Sequence, residues 1–124
     1  MDNEHLERIR TICLSLPGTS EKPAWGAPTF RAGGKMFAMY AAAGDHHGDG
    51  RRALWCHAPE GSQLGLVEAA PDRFFVPPYV GKNGWIGIWL DTASDLELHV
   101  HVREAYRVIA SSKLLAQLDD EEAG

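Results

Sequence analysis

Trp85-Ile86-Gly87-Ile88-Trp89-Leu90 alternates without a break, with Ile86, Ile88 and Leu90 on one side of an extended chain and Trp85, Gly87 and Trp89 on the other. A strand of this pattern turns its aliphatic side to a helical layer and its indoles to the opposite face of a sheet. The segment just before it, Pro77-Pro78-Tyr79-Val80-Gly81-Lys82-Asn83-Gly84, combines prolines, glycines, one lysine and an aromatic. A stretch so constrained points to a site. Its counterpart is Gly26-Ala27-Pro28-Thr29-Phe30-Arg31-Ala32-Gly33-Gly34-Lys35, again a glycine turn ending in a lysine that leads into a strand.

Working outward, Leu6, Ile9, Cys13 and Leu16 recur at helical spacing, with Ile12 widening the stripe. They predict a helix over residues 3–16 that Pro17-Gly18 stops. Phe30-Arg31 and residues 35–40 read as strands around a Gly33-Gly34 hairpin, and residues 51–57 as another strand. Leu64, Val67 and Ala70 suggest a short helix between Pro59 and Pro71 that Gly61 and Gly65 weaken. Residues 96–102 alternate as a strand would, yet the apolar pattern runs on through Ala105, Tyr106 and Ile109. That length favours a helix capped by Ser94 or Asp95. A shorter helix over about residues 112–118 closes the chain, and no internal repeat or linker is visible.

The chain has 124 residues, 44% of them hydrophobic, enough to bury a core as one domain, taken here as residues 1–118. No export signal and no run of about 18 apolar residues is present, so a cytoplasmic protein away from the membrane is expected. Cys13 and Cys56 fit neither a metal nor a redox spacing and read as buried thiols. The net charge of −5 is concentrated at the end: Asp119-Asp120-Glu121-Glu122 reads as an acidic tail, residues 119–124, that frays because like charges repel. Residues 21–89 are close to neutral and neither attract nor repel phosphate strongly.

Six histidines invite a metal reading. His46-His47 beside Asp45 and Asp49 lie in a glycine-rich loop that a metal would itself have to order, and His99 and His101 diverge on a helix, so no metal site is assigned. Gly34-Lys35 and Gly81-Lys82 are not phosphate loops, since Thr29 and Val76 stand where the leading glycine belongs and Met36 and Asn83 replace the hydroxyl that would hold magnesium. No nucleophile elbow, zinc-deaminase triplet or dinucleotide fingerprint occurs. The expectation is a protein that binds rather than catalyses, with no cofactor.

Ser15-Leu16-Pro17-Gly18, Trp25-Gly26-x-Pro28-Thr29-Phe30-Arg31, Gly34-Lys35-x-Phe37-Ala38, Phe74-Phe75, Pro78-Tyr79-Val80-Gly81-Lys82-x-Gly84-Trp85 and Arg103-Glu104-Ala105-Tyr106 follow one another in a pattern that resembles the MmcQ/YjbR family over about residues 4–118. The resemblance implies a CyaY-like α+β fold, a two-layer sandwich of antiparallel sheet with helices packed on one face. Members are described as DNA-binding proteins, and no settled catalytic residue or substrate comes with the family.

Such a fold leaves one sheet face open, and alternation assigns Trp85 and Trp89 to it, together with Arg51, Ala53, Trp55 and His57 if that strand is in matching register. Rings that stack bases and cations that neutralise phosphates are what single-stranded nucleic acid needs. Trp55, Trp85 and Trp89 with Arg31, Lys35, Arg51 and Lys82, and Tyr79 beside them, therefore form the expected interface for DNA or another nucleic acid. The tryptophans could equally fill a core or a homodimer contact. The alternative function is a small-molecule or peptide pocket where residues 77–85 fold against residues 25–35, with Tyr79 and Lys82 turned inward.

Overall fold

Gly33 and Gly34 both adopt positive φ, 57° and 88°, a pair of angles that matches the twist of a two-residue hairpin and that residues with a Cβ rarely take. They join β2 (Ala27–Ala32) to β3 (Lys35–Ala41), as the sequence predicts. The computed structural model describes residues 4–42 and 51–123, so the expected glycine-rich loop with His46 and His47 lies outside the described residues. The other elements are α1 (Glu4–Leu14), β1 (Thr19–Ala24), β4 (Ala53–Cys56), α2 (Ser62–Ala69), β5 (Phe74–Phe75), a 3-10 turn (Gly81–Asn83), β6 (Ile86–Trp89), α3 (Asp95–Ile109) and α4 (Ser112–Ala123).

The six strands form one antiparallel sheet in the order β1-β2-β3-β4-β6-β5. Strand β1 was not expected: its sequence, Thr-Ser-Glu-Lys-Pro-Ala, lacks apolar alternation and contains Pro23. It is tolerated because β1 is an edge, pairing with β2 alone, where a missing amide donor costs little. The buried Thr29 hydroxyl ties the two together by donating to the Lys22 carbonyl.

The four α-helices of the described residues lie over one face. Ile9, Ile12 and Cys13 of α1, Leu98, Val102, Ala105 and Tyr106 of α3 and Leu118 of α4 meet Phe30, Phe37, Leu54, Ile86 and Ile88 in the main core, and Leu66 and Val67 of α2 pack against it. The Tyr106 hydroxyl donates to the Pro17 carbonyl at 2.7 Å, so α3 is pinned where α1 has just ended. Ser94 caps α3, its hydroxyl accepting from the Glu97 amide while the Glu97 carboxylate reaches back, which settles the strand-or-helix ambiguity of residues 96–102.

The acidic end is helical rather than frayed. Helix α4 continues to Ala123, with Arg103 paired to Glu122 and Arg107 to Asp119 at 2.9 Å. Two arginines on α3 face those carboxylates, and this offsets the repulsion on which the expectation of fraying rested.

Candidate functional site

The register places a second row of side chains on the face away from the helices. Trp55 of β4 sits between Met39 of β3 and Gly87 of β6, and Ala53 between Ala41 and Trp89. Met39, Ala41, Ala53, Trp55, Trp85 and Trp89 form a second apolar cluster, against which Ala27, Met36, Phe75 and Val80 pack. Leu54, Cys56, Ile86, Ile88 and Leu90 point into the main core, so the sequence alternation of both strands is realised residue by residue. Between β2 and β3 the alternation is interrupted: the register shifts at Phe30/Arg31, so that Phe37 and Ala38 both face the helices while Met36 lies opposite Arg31.

This face is aromatic but not bare, which overturns the expected mode of base stacking on its indoles. Trp55 is 1% exposed, Trp85 3% and Trp89 7%. The cover comes from several places, with Val80 of the constrained segment ahead of β6 and Phe75 of β5 both packed against the cluster. Phe75 stacks on Trp89 at 4.4 Å between ring centres, and His57 lies 4.5 Å from Trp85. Gln63 fixes that segment by donating to the Gly81 and Trp85 carbonyls at 2.8 and 2.6 Å.

Beside these rings is a cavity of about 670 Å³. Sheet residues Met36, Met39, Ala41 and Trp55 form its base, Tyr79, Val80 and Trp85 one wall, and Trp25, Gly26 and Ala27 the other, with Ala42 at the end of β3. Residues 25–27 of the one segment and Tyr79, Val80 and Trp85 of the other thus meet at one hollow. Of the expected site residues, Trp55, Tyr79 and Trp85 line it; Arg31, Lys35, Arg51, Lys82 and Trp89 do not. Lys82 is exposed on the 3-10 turn, so the expectation that it turns inward is not met. Lys35 is likewise exposed at the start of β3.

The arginines are engaged differently. Arg51 grips Asp91 with both carboxylate oxygens at 2.8 and 3.2 Å, and its guanidinium lies 4.1 Å from the centre of the Trp89 ring. The hydrogen bonds from Arg51 hold the Asp91 carboxyl below its usual range. Arg31 is half-buried beside Met36, with its Nε enclosed and without a hydrogen-bond partner.

Of the two rim aromatics, Tyr79 is among the expected site residues, whereas Trp25 is expected only as the first residue of the 25–35 segment; Met36 and Met39 give no signal beyond hydrophobicity, since the sheet register alone brings them together. Trp25 is 81% exposed and Tyr79 76%, and both have positive φ, 51° and 66°. Trp25 occupies the first position of the two-residue turn between β1 and β2, followed by Gly26 at φ 74°. Tyr79 is the middle of a three-residue turn closed by the Val80 amide on the Pro78 carbonyl at 2.7 Å, the rare and strained form of γ-turn.

Burial lowers the basicity of His57, against Trp85, and of His101, 5.2 Å from Phe74, and it is also the main cause for His5. Because the unfolded chain binds protons near pH ~6.5 and the folded chain binds them only lower, stability is lost as pH falls through that value. Urea midpoints are expected to decline from about pH 7 to 5. The slope should flatten in a His57→Gln, His101→Gln protein, and an unchanged slope would show that these rings are not the cause.

A six-stranded antiparallel sheet with its helices on one side and a pocket on the other defines an α+β protein of two layers. The YjbR family model matches residues 14–108, and the chain belongs to that family. A crystal structure of the Deinococcus radiodurans protein DR2400, with a domain of the class DUF419, superposes with a TM-score of 0.73 at 18% identity, covering 96% of this chain and 91% of that one. That likeness is one of fold. No curated protein sequence matches the chain. No helix among the described residues is long and apolar enough to cross a membrane.

Proposed function

We propose that the protein binds a small, largely apolar molecule in the hollow between residues 25–27 and 79–85. The observation that carries this reading is the lining itself: a volume of about 670 Å³ bounded by three indoles, a phenol and two thioethers, without a charged side chain among the described residues that line it. Ligand pockets fall at about 300 to 1,000 Å³ and are predominantly apolar. Among the described residues the lining holds no carboxylate, imidazole or amine that could move a proton, which favours binding over catalysis.

The nucleic-acid reading rests on Lys35 and Lys82, both exposed and both outside the hollow. Arg51 is already matched by Asp91 and Trp89, and the indoles that would stack bases are buried. The pocket is therefore preferred.

A titration with the neutral fluorophore N-phenyl-1-naphthylamine tests it. Saturable, blue-shifted emission is expected, and Ala27→Trp, which places a ring in the hollow from a partly exposed position, should weaken binding by about tenfold or more. Absence of binding to the folded protein would remove the proposal. So would a DNA oligonucleotide that binds at low salt, is lost in Lys35→Ala with Lys82→Ala, and is indifferent to Ala27→Trp.

A further inference from the structure

We infer that Trp25 and Tyr79 are a pair of jaws for a flat, uncharged aromatic ring, so that the pocket selects a neutral mono- or bicyclic aromatic compound over an aliphatic one of equal size. This rests on the pocket reading above and adds the class of ligand.

Among the described residues, positive φ occurs at six glycines and at only two residues with a side chain, Trp25 and Tyr79. Both line the same hollow. For a bulky residue this backbone region is unfavourable by about 1 kcal/mol or more, and the site in a two-residue hairpin turn that Trp25 fills is ordinarily given to asparagine or glycine. Burial offsets little of that cost, because Trp25 stays 81% and Tyr79 76% exposed. A strained conformation persists where the surrounding structure enforces it, and it clusters where function requires a side chain to be held in place. Here Gln63, bonded to the Gly81 and Trp85 carbonyls, anchors the segment that carries Tyr79, and the β1–β2 pairing anchors Trp25.

The chemistry of the interior agrees. An aromatic ring gains from stacked or edge-on contact with Trp25, Tyr79, Trp55 and Trp85, and from the polarisable sulfurs of Met36 and Met39. A chain alcohol or fatty tail would gain only the area it buries. Charge on the ligand would find no countercharge among the described residues of the lining.

Calorimetric titration with 1-naphthol and 1-decanol, which carry the same number of carbons and one hydroxyl each, separates the two classes. The naphthol is expected to bind about tenfold more tightly. Trp25→Gly and Tyr79→Gly suit the backbone they replace, so thermal midpoints should be unchanged or raised, while naphthol affinity falls about tenfold in each and decanol affinity by about twofold or less. Tyr79→Phe, which keeps the ring, should retain naphthol binding. Equal affinity for the two alcohols, or equal losses in the glycine variants, would overturn the aromatic jaws and leave the pocket standing. Failure of both alcohols and of N-phenyl-1-naphthylamine to bind folded protein would overturn the pocket itself, and the jaws with it.

Discussion

Replacing Trp55 by alanine is expected to lower the unfolding free energy by about 4 kcal/mol, within the range for deleting a buried tryptophan. The side chain is 1% exposed and stands at the centre of the second cluster, with Met39 and Gly87 as its partners across the strands. Strands on both sides hold the backbone in register, so the vacated space closes poorly and the cavity penalty adds to the lost transfer energy. Against a total stability of about 5 to 15 kcal/mol, the variant is left marginal or unfolded at ambient temperature. Trp55→Phe refills most of the space and should lose about 1 to 2 kcal/mol. Urea unfolding of the three proteins measures this. A loss below about 1 kcal/mol for the alanine variant would mean that the face away from the helices is not a packed layer.

Gly87→Ala should also be damaging, at about 2 kcal/mol. A Cβ at that position would stand 2.3 Å from Phe75 Cζ and 2.5 Å from both Cε atoms, so the ring lies flat on the glycine. Phe75 can swing away, but it then gives up its stack on Trp89 and the burial that goes with it. The cost is therefore that of losing one aromatic contact and its area, rather than of a rigid clash. A double-mutant cycle isolates the effect: in a Phe75→Ala background the added methyl meets no ring, and Gly87→Ala should cost less than about 1 kcal/mol. If the cost is the same in both backgrounds, the damage comes from the strand backbone and not from the ring.

Gly87 also marks where sequence reading stops. Alternation assigned it to the same side as Trp85 and Trp89, correctly, but nothing local distinguishes an empty position from one covered by Phe75, twelve residues earlier in the chain. The same holds for the indoles. Their side of the sheet was legible because strand periodicity is local, whereas their burial depends on residues distant in sequence, Phe75 on Trp89 and His57 on Trp85 among them. Arg51 looked like a cation available to phosphate. Its match with Asp91, forty positions away, exists only because β4 and β6 are neighbours. For the acidic end, like charges suggested fraying, and two arginines on another helix reverse that balance.

The sequence alone determined the helical faces, the Gly33-Gly34 hairpin and the two-sided character of β4 and β6. All of these follow from periods of 2 and 3.6 residues or from turn chemistry, which act over a few bonds. The tertiary structure decided that the far side of the sheet is sealed around its tryptophans and hollowed beside them, and that Trp25 and Tyr79 rather than the lysines stand at the opening. Burial and enclosure are properties of segments distant in sequence meeting in space, and no local pattern of residues encodes them.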